Sequence, residues 1–147
     1  MENILGEIIS NNLIVVALLS WFFSQLIKIV RDIIKEKKID LRLFLASGGV
    51  VSSHCAAVSA LATSIGKNFG WSSPLFAISV VLAAIVISDA IGLRQEAGKQ
   101  AEVLNNIIED LYQKRGIKME KLKELLGHTA REVFLGILLG ILVGIIF

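Results

Sequence analysis

The sequence predicts an all-α integral membrane bundle of about four membrane segments with a cytoplasmic amphipathic helical hairpin, and three observations carry that prediction. Of the 147 residues, 54% are hydrophobic and only 19% charged, with a mean hydropathy of +0.71, a balance outside the range of water-soluble domains. Asp, Glu, Lys and Arg are absent from four windows: residues 8–27 (20 residues), 43–66 (24), 68–88 (21) and 133–147 (15). Finally, 14 of the 15 basic residues fall in two blocks, 28–42 and 94–131, and only Lys67 lies elsewhere. One proline and one cysteine exclude a proline-rich linker and a disulfide framework. A net charge of +2 gives no reason to expect nucleic acid as a partner.

The first membrane segment is expected at about 8–30, since about 20 apolar residues cross roughly 30 Å of hydrocarbon. Its upstream flank is acidic, with Glu2 and Glu7 and no basic residue, so it reads as a span and not as a cleavable signal peptide. The second, at about 43–66, contains Gly48 and Gly49. A continuous helix is therefore expected to begin only at Ser52 or Ser53, after an irregular entry whose backbone must be satisfied by protein or water. The third is expected at about 72–93.

Interfacial helices follow at about 95–126. Val103, Leu104, Ile107, Ile108, Leu111 and Tyr112 recur at helical spacing among Glu102, Asn105, Asn106, Glu109 and Asp110, which describes an amphipathic helix. Arg115-Gly116 ends it, and a second short helix sets Met119, Leu122, Leu125 and Leu126 against Lys118, Lys121 and Lys123. The pair reads as a hairpin packed on the cytoplasmic end of the bundle and touching anionic membrane lipids. The fourth segment, about 128–147, carries Gly136, Gly140 and Gly144 at four-residue spacing, a stripe that admits close approach of another helix. Its expected partner is the Ala- and Ser-rich helix around residues 56–62; a homodimer through the same glycines is the alternative. Residues 1–147 thus read as a single membrane domain. Alternating spans put both basic blocks on one side, which the positive-inside rule makes cytoplasmic in a cell inner membrane, with both termini external.

That topology gathers ionisable residues at one depth. Lys28 ends the first span, His54 begins the second helix, Asp89 and Arg94 end the third, and His128 with Glu132 begins the fourth. Such groups at membrane depth are costly and mark function by default. The chemistry they suit is phosphate handling: Lys28, Arg42 and Arg94 offer cations for phosphoryl oxygens, and the loop 48–54, with Ser52 and Ser53, leads into a helix N-terminus whose free N–H groups favour an anion. Two histidines divide nucleophile and general acid between them, while a carboxylate one turn after a histidine can orient it. Each residue also has a purely structural role open to it. Ser52 and Ser53 suit helix caps, Thr129 to Glu132 matches a capping box, and Asp89 with Arg94 suits an ion pair. With two histidines, one cysteine and no ligand motif among the carboxylates, no metal site and no cofactor are expected.

Three stretches in order, GGVVSSHCAAVSALA, SDAIGLRQEAGKQA followed by LNNII, and LKELLGHTAREVFLGILLG, resemble the divergent branch of the type-2 phosphatidic acid phosphatases, relatives of the vanadium haloperoxidases. The resemblance runs from about residue 25 to 140. It implies a metal-independent phosphatase acting on a lipid phosphate (phosphatidate, phosphatidylglycerophosphate or a polyprenyl phosphate) through a phosphohistidine. It also implies His128 as nucleophile, Glu132 as its orienting carboxylate, His54 as general acid, Lys28, Ser52, Ser53 and Arg94 as phosphate contacts, and Asp89 as a supporting residue. Val50-Val51 stand where the branch usually has Met-Pro, Ser88 and Gln95 where it has Tyr and a second Arg, and Ala130 where a proline is common. A phospholipid- or phosphate-binding membrane protein without turnover is the alternative reading.

Overall fold

The computed structural model describes residues 4–36, 50–113 and 129–147. Among them six helices form and no strand: α1 (Ile4–Ser10), α2 (Asn12–Glu36), α3 (Ser53–Phe69), α4 (Pro74–Ile91), α5 (Leu93–Gln113) and α6 (Ala130–Ile146). Their ends follow local chemistry. Asn11 accepts from the N–H groups of Leu13 (3.1 Å) and Ile14 (3.4 Å), so the expected first segment is split there: its start belongs to α1, and α2 runs on to Glu36 through good helix formers. Ser52 caps α3, as the serine pair after two glycines suggests, and Gly70 ends it at φ +91°, a conformation favouring glycine. Ser73 caps α4 with Pro74 in the first turn. The Trp71 and Phe76 rings meet edge to face at 5.1 Å across this turn.

α3 is the central helix, packed against α2, α4 and α6. Its start lies beside the start of α6, where the Ser52 N–H donates to the Glu132 carbonyl at 2.9 Å. Its end lies beside the end of α6, where Lys67 Nζ donates to the Ile145 carbonyl at 2.9 Å. α3 and α6 therefore run parallel. The contact is as close as backbone permits: a Cβ on Gly136 would stand 2.5 Å from the Ser52 carbonyl oxygen, one on Gly144 would stand 2.7 Å from Thr63 Cβ, and one on Gly140 would collide with the Ala56 carbonyl. Of the two partners open to the glycine stripe, the structure seats α3 of the same chain, so a homodimer through these glycines would have to displace it. α2 runs antiparallel to α3, with Val16 against Ala60 and Val143 at one end.

The interior is small and partly polar, with Cys55, Ala56, Ala60, Ser20, Ser24, Ser52 and Ser64 fully buried, whereas Leu18, Phe22, Ile78, Val81, Ile85, Phe134 and Leu142 stand on the outside. That is the reverse of a water-soluble core and matches a bundle whose solvent is hydrocarbon. Two stretches, Asn12–Ile34 and Pro74–Ile91, are long and apolar enough to cross a membrane; α3 and α6 have 17 residues each.

α5 follows directly on α4. It touches only α4 among the described elements, and its buried side carries Ala101 and Asn105, while Val103, Leu104 and Ile107 are exposed. The second hairpin helix lies outside the described residues.

Candidate functional site at the paired helix starts

The end of the bundle where α3 and α6 begin is also where α2 and α4 finish. Cys55, Ala90 and Val133 form one buried cluster with Ile87 and Ile137, which brings the last turn of α4, and with it half-buried Asp89, against the first turns of α3 and α6. Lys28 enters from α2. It is 3% exposed, and the Glu132 carboxylate lies within electrostatic reach of its ammonium group, the counter-charge that a buried cation requires. Ser52 and Ser53 are buried at the start of α3, and His54, one residue on, is exposed there. Residues from four helices therefore meet at one end.

Two of these residues are engaged in local structure. The Ser52 hydroxyl accepts from the Cys55 N–H at 3.5 Å, and its own N–H is taken by the Glu132 carbonyl, so it caps α3 while tying α3 to α6. Glu132 completes a capping box: its N–H donates to Thr129 Oγ1 at 3.4 Å and its carboxylate accepts from the Thr129 N–H at 3.3 Å. The same carboxylate lies within electrostatic reach of Lys28, so cap and counter-charge are one residue. Arg94 is the second residue of α5. His128 and Arg42 lie outside the described residues, and among those described no group of three His, Cys, Asp or Glu side chains could hold a metal ion.

The structure adds residues that the sequence reading passes over. Ser20 and Ser24 are buried on α2 at four-residue steps before Lys28, and that spacing is the signal that could have found them. Gln25, one turn before Lys28, is 4% exposed, and its Oε1 and the Ser20 hydroxyl are buried without a hydrogen-bond partner among the described residues. Unmatched polar atoms in an apolar bundle are costly.

Glu132→Gln separates the two roles of its side chain, because glutamine serves a capping box as well as glutamate does but offers Lys28 no charge. The variant should keep the helical circular dichroism of the parent and lose turnover or phosphate affinity. A fall in thermal stability with the function of the folded fraction intact would make Glu132 a cap alone.

The comparisons with known proteins agree with this picture. The model of the divergent PAP2 family matches residues 9–143. A relative from Bacillus subtilis (strain 168), the uncharacterised membrane protein YuiD, is 38% identical over 151 residues, covering 95% of this chain and 96% of its own length. No solved structure matches the chain. With a membrane protein as relative and a bundle whose apolar side chains face outward, the chain is membrane-associated. Matched along nearly its whole length, it belongs to the divergent PAP2 family.

Proposed function

We propose that the chain is an integral-membrane, metal-independent lipid phosphatase that hydrolyses a phosphomonoester or diphosphate of a lipid through a phosphohistidine. The observation that carries this reading is the meeting of Lys28, Ser52, Ser53, His54, Asp89 and Glu132, drawn from four helices, at one end of the bundle. In the proposed reaction, Lys28, Arg42, Arg94 and the two serines hold the phosphoryl oxygens, and His128 attacks phosphorus. The P–O bond to the lipid breaks as His54 protonates the departing alkoxide. Water then attacks the phosphohistidine, releasing inorganic phosphate and restoring His128. Glu132 keeps the nucleophile in its required tautomer.

Purified protein should release phosphate from a lipid phosphate in the presence of EDTA, and orthovanadate, which becomes five-coordinate as phosphorus does in the transition state, should inhibit it. Strict magnesium dependence together with indifference to vanadate would remove the histidine nucleophile. The capping box favours one competing reading, a phosphate-binding protein without turnover, since it commits Glu132 to the backbone. Vanadate binding without phosphate release from any lipid phosphate would establish that alternative.

In the same proposal α2, α3, α4 and α6 all cross the membrane, and the site faces the cytoplasm. Single cysteines at positions 36 and 118, introduced after replacing Cys55, should be shielded from an impermeant external reagent in intact cells, while one at position 67 should react. Labelling at 36 and 118 from outside would invert the topology and move the site to the external face.

A further inference from the structure

Ser24 and Gln25 both stand on the buried side of α2, and helix register puts them at the depth of the proposed phosphate site. Val16 of α2 packs against Ala60 of α3, the two helices run in opposite directions, and both rise by about 1.5 Å per residue. Moving toward the helix starts by the same number of residues on each brings Ser24 level with Ser52, and leaves Gln25 level with the first turn of α3. Lys28 joins them from the other side. Side chains on a helix lean back over the residues three and four before them, which for Lys28 are Gln25 and Ser24, and Lys28 is itself buried. An anion held by that ammonium lies in the same buried layer as the Gln25 amide.

Most groups in that layer donate. Lys28 offers an ammonium, Ser53 a buried hydroxyl, and α3 and α6 the N–H groups of their first turns, while the Glu132 carboxylate already accepts from the Thr129 N–H. Gln25 Oε1 is different: a buried acceptor with no hydrogen-bond partner among the described residues. The Ser20 hydroxyl, buried in the same state, can turn onto a carbonyl of its own helix. An amide oxygen has no such recourse, because the N–H groups inside a helix are already bonded. A ligand that satisfies the cation and also brings a proton matches this arrangement. We infer that Gln25 Oε1 accepts the hydroxyl of a protonated phosphoryl group, so that the site takes a phosphate carrying a P–OH and rejects oxyanions of the same shape that carry none. The inference rests on the proposed phosphate site and adds the residue that selects its ligand.

Inorganic phosphate and sulfate test this directly. At about pH 8, above the second ionisation of phosphate, both are tetrahedral dianions of nearly one size, and only phosphate keeps a hydroxyl. Purified full-length protein in detergent is dialysed to equilibrium against radiolabelled inorganic phosphate, with unlabelled phosphate or sulfate at matched ionic strength as competitor. Sulfate should compete about tenfold less well, the usual cost of facing a buried acceptor with no donor. Gln25→Met keeps the volume and removes the acceptor. It should bring the two anions to within about twofold of each other without lowering Tm, since it also removes an orphaned polar atom. Gln25→Glu, whose carboxylate accepts and does not donate, should bind both anions less tightly and keep phosphate ahead. Equal competition by the two anions in the parent would overturn the inference, because an amide that turns its nitrogen inward serves either one. So would a Gln25→Met protein that keeps the parent's preference, since the selecting group is then another. A parent that binds no phosphate at all would sink the phosphate site itself and this inference with it.

Discussion

His128→Ala should abolish turnover and phosphoenzyme together, whereas His54→Ala should largely spare the turnover of a substrate with a good leaving group. Nitrophenolate leaves phosphorus without a proton, while a lipid alkoxide does not. General acid catalysis is worth typically ~10²–10⁴-fold, so His54→Ala should cost that much on a lipid phosphate and far less on the aryl ester. Measuring kcat on both substrates with both variants assigns the two roles separately. Equal losses on the two substrates would strip His54 of the acid role. A trapped phosphoenzyme in His128→Ala would strip His128 of the nucleophilic one.

The largest structural effect is expected from Gly140→Leu. The added side chain meets the Ala56 carbonyl, Ser59 Cβ at 2.7 Å and the Ala60 amide nitrogen at 2.9 Å, and two of those three are backbone atoms that cannot rotate away. Overpacking typically costs about 1–3 kcal/mol, and a leucine against backbone belongs at or above the top of that range, lowering Tm in detergent by about 10 °C. Because the α3–α6 contact also sets the spacing of the helix starts, the variant should lose the site together with the fold. Leu142→Ala, on the exposed side of the same helix, should change Tm little. A Gly140→Leu protein as stable as its parent would mean that α3 and α6 are not in backbone contact.

Much of this was legible because in lipid the informative residues are the small and the polar ones. The Gly48-Gly49 pair followed by two serines placed the start of α3 within a residue. The four-residue glycine spacing matched an Ala- and Ser-rich helix, and the charge-free windows aligned Lys28, His54, Asp89 and Glu132 at one end before any contact was known. What escaped the sequence depends on lateral contacts. An asparagine in an apolar run reads as a tolerated polar residue until its side chain is seen to cap α2 and end α1. The apolar stripe of α5 carries no mark of whether protein or lipid covers it. Ser20, Ser24 and Gln25 looked incidental because single polar residues in a span acquire meaning only when the face they share proves to be the buried one. The Glu132 side chain, which matches both a catalytic carboxylate and a capping box on paper, is engaged in the cap within electrostatic reach of Lys28, which leaves its part in the chemistry to experiment.

The parallel run of α3 and α6 has an electrostatic consequence. Adjacent antiparallel helices cancel each other's macrodipoles, but two parallel ones add them, roughly half a positive charge from each at their starts and as much negative charge at their ends. At the far end Lys67 bonds directly to a terminal carbonyl of α6 and offsets that polarity. At the near end the summed positive ends share their space with the buried ammonium of Lys28, and Glu132 is the one carboxylate in the first turn of either helix. The ends of α2 and α4 and the Asp89 carboxylate lie at that same end, so the bundle as a whole offsets what the parallel pair accumulates, and the positive field is confined to the first turns of α3 and α6.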